Sequence, residues 1–334
     1  MTTPAQAPAS TQTGQRQVGI WGATASGKST FLSSLFIAAA RFPDHLTVRG
    51  NNDASTDFLV ANTGILQNHG FPPPTVDRAQ LDWTLQMWVP NLNRRRVMRP
   101  APERLPFDFN IDMQDAGGLE FASVPGADSS RLDIREGGGG GRMTNIATYL
   151  GSCQGLLMLI DPMRERDFGD AYNFFFGPLL RMAQARRVPA GQRLPHYVAV
   201  CVTKFDDPVV YEFARDHGYL SYQQDDPAML PRVHPNDAER FMRHLFQGLP
   251  ASDIDLVTGG LRQYFYPDHV RYFISSSVGF YVGPSGYFQE DDFRNVAQDE
   301  RGEFVIRGAV RPVNVAEPLM WLGERMAAEE REQP

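Results

Sequence analysis

Gly22-Ala23-Thr24-Ala25-Ser26-Gly27-Lys28-Ser29 is the stretch whose reading decides the fold. It follows the β-like run Gln17-Val18-Gly19-Ile20-Trp21 and leads into a helix-like run from Thr30 to Arg41, so a glycine-bearing turn joins a strand to a helix. Glycines let backbone N–H groups approach a phosphate closely, and the helix N-terminus adds its partial positive charge. Gly22, Ala23, Thr24, Ala25, Ser26, Gly27, Lys28, Ser29 and Thr30 are therefore read as a cradle for the α and β phosphates of a nucleotide. Lys28 reaches the β and γ phosphates, and the Ser29 hydroxyl is the candidate ligand for Mg²⁺. Such a unit predicts one α/β domain: a mostly parallel central sheet with helices on both faces and nucleotide held at the carboxyl ends of the strands.

The basic residues sharpen this reading. Of 32 Lys and Arg residues only two are lysines, Lys28 and Lys204. Lys204 lies in Thr203-Lys204-Phe205-Asp206, directly after the apolar run His196 to Val202, which reads as a buried parallel strand. If all basic positions were equivalent, the chance that both lysines fall on motif positions is about one in five hundred. A chain that otherwise writes Arg keeps Lys where a slim ammonium and stem are wanted, since a planar guanidinium does not substitute there.

On these two motifs the chain resembles a P-loop GTPase of the translation-factor and Ras-like class, over about residues 16 to 330. Thr203, Lys204 and Asp206 stand where that class usually has Asn-Lys-x-Asp. The resemblance implies that the Asp206 carboxylate accepts hydrogen bonds from N1 and N2 of guanine while the Lys204 stem lies along the base. Ser275-Ser276-Ser277, after the strand-like run Val270 to Ile274, takes the place of the fifth motif, whose backbone N–H contacts guanine O6. Two further stretches, Gly70 to Thr75 and Arg311 to Leu322, resemble the bacterial double-GTPase group.

The third motif, usually Asp-x-x-Gly, reads Ser123-Val124-Pro125-Gly126, so Ser123 replaces the acid that helps hold Mg²⁺. Gly126 keeps an N–H for the γ-phosphate. Ala127 occupies the place of a water-orienting Gln, and Asp128 is the candidate to serve instead. The resemblance also implies a switch I threonine as a metal ligand; Thr75 precedes the strand-like run Leu81 to Val89, with Thr56 and Thr63 as competitors. Asp161 closes the apolar run Gly155 to Ile160, an arrangement that also fits an acid bound to Mg²⁺. Five glycines, Gly137 to Gly141, among Arg131, Arg135 and Arg142 read as a mobile loop, either a switch II element or plain surface.

Elsewhere, His45 to Gln80 shows no convincing periodicity and reads as a long excursion. Leu81 to Val89, Pro106 to Met113 and Leu119 to Val124 read as strands, the first two with partial alternation, and the resemblance implies an antiparallel edge strand or hairpin before the third motif. Helices are expected over Thr144 to Leu150, Phe168 to Arg187 and Val315 to Ala328. Residues 207–268 read as a helical insertion and residues 280–312 as irregular with strand content. His217, His234, His244 and His269 lack metal-binding spacing.

Residues 1–15, all small or polar apart from Met1, read as a loose tail without a secretory pattern. No apolar run approaches the roughly 20 residues of a membrane span. Cys153 and Cys201 sit beside apolar runs and suit reduced core thiols, which points to the cytoplasm. A net charge of −7 argues against nucleic acid as the main partner. The expected function is a GTP/GDP-binding protein with Mg²⁺ and slow hydrolysis that engages a regulatory or effector protein. The alternatives are an ATPase using Asp161 as its metal acid, and a nucleotide-binding scaffold without turnover.

Overall fold

A computed structural model describes residues 16–23, 26–73, 81–91, 103–113, 139–189, 191–249 and 252–332, with the backbone alone over 139–145. Its centre is a seven-stranded sheet in the order β2-β3-β4-β1-β5-β6-β9. The strands are β1 (Gln17–Gly22), β2 (Leu46–Gly50), β3 (Leu81–Pro90), β4 (Arg104–Met113), β5 (Gly155–Ile160), β6 (Tyr197–Val202) and β9 (Val270–Ile274). β4, β1, β5, β6 and β9 run parallel, whereas β2 and β3 are antiparallel to their neighbours. Small hairpins pair β7 (Leu220–Tyr222) with β8 (Pro231–Val233) and β10 (Val296–Gln298) with β11 (Phe304–Ile306).

Every residue of β5 and of β6 is buried, as a strand covered on both faces requires. Their side chains divide strictly by alternation. Leu156, Met158, Ile160, Val198, Val200 and Val202 join a core with α3 (Gly139–Ser152), α5 (Ala171–Ala185), α6 (Pro208–Asp216), α7 (Ala238–Gln247) and α8 (Ile254–Tyr264). Leu157, Leu159, Ala199 and Cys201 join the opposite core with α1 (Lys28–Ala39) and α9 (Ala316–Glu332). Helices thus cover both faces of a mostly parallel sheet, the expected α/β P-loop class. Cys153 and Cys201 are buried free thiols.

Three expectations are corrected. The stretch after His45 is not an irregular excursion: it forms β2 and α2 (Asp53–Gln67) before the undescribed residues 74–80. Asn52 caps α2 by accepting from the Ser55 N–H at 2.7 Å. The buried residues of α2 are Ser55, Leu59, Thr63 and Leu66, a helical stripe whose two hydroxyl positions hide the apolar period. Second, β4 is not at the edge. It pairs with β1 through Gln17↔Asn110, Val18↔Ile111 and Gly19↔Asp112, and β2 takes the edge. Third, the helix expected over Phe168 to Arg187 is α5, which starts only at Ala171, because Phe168 ends a separate short helix, α4 (Pro162–Phe168), closed by Gly169 in the left-handed region at φ 59°.

Candidate nucleotide site

Four parallel strands deliver their next residues to one end of the sheet: β1 to Ala23, β5 to Asp161, β6 to Thr203 and β9 to Ser275. The carboxyl end of a parallel sheet is where α/β folds bind ligands. At β1 the chain must turn tightly. A Cβ on Gly22 would lie 2.8 Å from Ser26 Oγ and 3.0 Å from the Leu159 carbonyl oxygen, so the turn admits only glycine without displacing backbone. Gly27 is the N-cap of α1 at φ 91°, a conformation open to glycine and unfavourable for residues with a Cβ. It offers no side chain to the helix end, and no acidic residue lies in the first turn of α1. The positive pole of the helix is therefore left for an anion.

Lys28 Nζ donates to the carbonyl oxygens of Gly22 at 3.2 Å and Ala23 at 2.9 Å, which turns its side chain back to the end of β1. Ser29 and Thr30 lie in the first turn of α1, half-buried. Ser26 Oγ is buried without a hydrogen-bond partner among the described residues. Mg²⁺ takes few protein ligands and keeps phosphate and water in its shell. Ser29, in the first turn of a helix whose N-terminus carries no acidic residue, fits that role, whereas no group of three His, Cys, Asp or Glu residues suited to a metal occurs among the described residues.

The second motif lies against the first. Thr203 Oγ1 sits 3.3 Å from the Ser26 carbonyl oxygen and 3.2 Å from that of Ile160, sharing its single proton between them. Residues 177 positions apart are so joined. Lys204 adopts φ 58°, and its Nζ lies 2.6 Å from Asp161 Oδ2. The ring of Phe205 is fully buried among Tyr211, Phe241 and Phe280, which anchors the loop in the core. Asp206 is half-buried, and its Oδ1 accepts a short hydrogen bond from the Ser276 hydroxyl. That hydroxyl in turn accepts from the Gly279 N–H at 2.7 Å. Burial pushes the Asp206 carboxyl up to about 6; the Ser276 hydrogen bond opposes this, Asp207 adds to it, and Lys204 opposes it.

Ser275 stitches the loops through backbone: its N–H donates to the Val202 carbonyl at 2.8 Å, and its carbonyl accepts from the Phe205 N–H at 3.0 Å. Ser277 is half-buried beside it. The sequence reading gave the three serines a backbone role alone and missed that the Ser276 side chain orients Asp206; a hydroxyl run ending a strand was the available signal.

Asp161, expected as a metal ligand, is held by protein groups among the described residues. Its Oδ1 caps α4 by accepting from the Met163 and Arg164 N–H groups, and its Oδ2 pairs with Lys204. Thr56 and Thr63, the competitors for the switch I role, lie in α2, where their hydroxyls donate to the carbonyls of Asn52 and Ser33. Thr24, Ala25, Thr75, Ser123, Gly126, Ala127, Asp128, Arg131 and Arg135 fall outside the described residues.

No family model matches the sequence, and no curated protein does so. Among solved structures, Sup35 complexed with GDP is similar at 11% identity and a TM-score of 0.31, covering 82% of this chain and 42% of that one. A protein from Thermus thermophilus is similar at 13% identity and a TM-score of 0.29, covering 79% and 37%. The signal recognition particle receptor SRb-GTP/SRX complex from Chaetomium thermophilum is similar at 13% identity and a TM-score of 0.28, covering 80% and 95%. The chain spans about two fifths of the length of the first two. The case for the site rests on its own geometry.

Proposed function

We propose that this chain binds guanine nucleotide with Mg²⁺, hydrolyses GTP slowly, and uses the nucleotide-dependent state to engage a protein partner. The observation that carries the reading is the Thr203 hydroxyl bridging to Ser26, which brings the phosphate loop and Thr203-Lys204-Phe205-Asp206 into one site. Each motif alone is short; a phosphate cradle and a base-reading loop that touch through Thr203 and Ser26 suit the two ends of one nucleotide.

Lys28, with the N-terminal turn of α1, would neutralise the phosphates, and Ser29 would hold Mg²⁺, which would supply further positive charge for the phosphate chain. Asp206 reads guanine N1 and N2, held by Ser276. Gly126 and Asp128 are proposed for the γ-phosphate and the attacking water, with Thr75 as the switch I ligand. Without a Gln after Gly126, turnover by the chain alone is slow. The ATPase reading needs Asp161 for a metal, and the commitment of that carboxylate to the α4 cap and Lys204 favours guanine recognition instead.

The test is mass-spectrometric identification of nucleotide carried by the purified protein, followed by calorimetry with GDP, GTP and ATP. Guanine nucleotide bound at least about tenfold more tightly than ATP is expected, as for a site built to pair hydrogen-bonding groups that its rival lacks. Equal affinities replace this reading with the ATPase.

A further inference from the structure

Asp161 is a buried acid that nothing in guanine recognition requires by sequence. Its side chain is 3% exposed, whereas that of Lys204 is 43% exposed and reaches inward to it. The residue is rigid for a local reason. It is the extended N-cap of α4, at φ −94° and ψ 111°, with Pro162 in the first turn and Oδ1 accepting from Met163 N at 2.9 Å and Arg164 N at 3.3 Å. Fixing one oxygen aims the other, and Oδ2 meets the Lys204 ammonium at 2.6 Å.

The geometry across the sheet explains the pairing. β5 and β6 are parallel neighbours with Ile160 opposite Val202, so Asp161 and Thr203 leave the sheet side by side and Lys204 follows one residue later. Lys204 then takes φ 58°, a left-handed conformation that residues with a Cβ seldom adopt. Local hydrogen bonds hold that turn: Asp207 N–H donates to the Lys204 carbonyl at 2.9 Å, and Phe205 N–H to the Ser275 carbonyl at 3.0 Å. Strain maintained by the surroundings is a mark of functional segments. A compact ammonium reaching a single carboxylate oxygen also accounts for lysine here in a chain that writes arginine at 30 of its 32 basic positions.

We propose that Asp161 is a positioning residue for base recognition: a capped carboxylate outside the base-reading motif that locks the Lys204 stem where the guanine ring lies. The inference rests on the guanine reading above and assigns Asp161 to Lys204 in place of a metal.

The test is a double-mutant cycle read by GDP calorimetry at fixed Mg²⁺, using wild type, Asp161→Asn, Lys204→Ala and the double variant. Asparagine caps a helix about as well as aspartate, so Asp161→Asn removes charge while sparing α4, and Asp161→Ser gives a second cap-preserving variant should the first fold poorly. Asp161→Asn is expected to weaken GDP binding about tenfold at a near-constant melting temperature, yet less than about twofold once Lys204 is already alanine. An unchanged GDP affinity, or an equal loss in both backgrounds, overturns the proposal. A loss that appears only as a raised Mg²⁺ requirement for GTP overturns it in favour of a metal role. Failure of the wild type to bind any guanine nucleotide removes the functional reading itself; binding by the wild type with indifferent variants removes this inference alone.

Discussion

Lys28 and Asp206 mark the two ends of the site, and each makes a separable prediction. Lys28 is half-buried and outside the two main cores, and its ammonium meets the Gly22 and Ala23 carbonyls only in part-buried hydrogen bonds. Lys28→Ala is therefore expected to shift the melting temperature by no more than a few degrees while GTP binding falls below detection by calorimetry. Wild-type affinity in the folded variant would end the phosphate-loop assignment. Asp206 predicts a pH dependence whose sign follows from its raised carboxyl, at about 6 against an ordinary value of 3.8. Between those values the folded chain holds a proton that the unfolded chain releases, so this group favours folding at low pH and that contribution is lost as pH rises through about 6. Guanine needs the ionised carboxylate as acceptor. GDP affinity should accordingly fall up to about tenfold per pH unit below about 6 and level off above about 7, with Asp206→Asn abolishing the dependence. A flat profile for the wild type from pH 5 to 8 contradicts the assignment.

Among the elements, α4, α5 and α8 are tied together by one carboxylate. Glu165 is buried, its Oε2 accepting from the Ala171 N–H at the start of α5 and its Oε1 from Ser252 Oγ and the Asp253 N–H before α8. Helix N-termini supply the positive field that a buried anion needs. Glu165→Ala leaves these buried donors unmet and is expected to destabilise the protein by about 2–4 kcal/mol in urea unfolding, with Glu165→Gln milder because its amide oxygen keeps one acceptor. The strands were legible in the sequence because β5 and β6 are continuous apolar runs bounded by Asp161 and Thr203, and β9 is a run of β-branched and aromatic residues, broken only by Arg271, that ends at Ser275. α2 was not, since it turns Ser55 and Thr63 inward among only two buried leucines. The placement of β4 beside β1 was illegible too, because alternation tells which face a strand buries and says nothing of its neighbour. At the site both lysines and Asp206 were readable from motif spacing. The Ser276 hydroxyl and the Asp161 to Lys204 pair were not, being contacts between loops that only the sheet brings together.

At the scale of the molecule, the site is assembled from the ends of β1, β5, β6 and β9, four neighbouring parallel strands that reach from the middle of the sheet to its edge and whose side chains divide between the two main cores. No helix among the described residues is long and apolar enough to cross a membrane. A ligand spanning Lys28 and Asp206 touches loops that all depend on those strands being in register, and it has no such set of partners in the unfolded chain. Nucleotide should therefore stabilise the whole fold, by about 2.7 kcal/mol at a concentration one hundred times its dissociation constant. For a chain of this size that is a rise in melting temperature of roughly 5 °C. GDP is expected to produce the rise at concentrations where ATP does not. In Asp206→Asn the GDP effect should shrink while that of xanthosine diphosphate appears, because an amide nitrogen donates to the oxygen that xanthine carries where guanine has an amino group. Equal rises with ATP and GDP in the wild type, unmoved by Asp206→Asn, would mean that the phosphate loop alone does the binding and that the contact between Thr203 and Ser26 joins two loops without joining two halves of a nucleotide site.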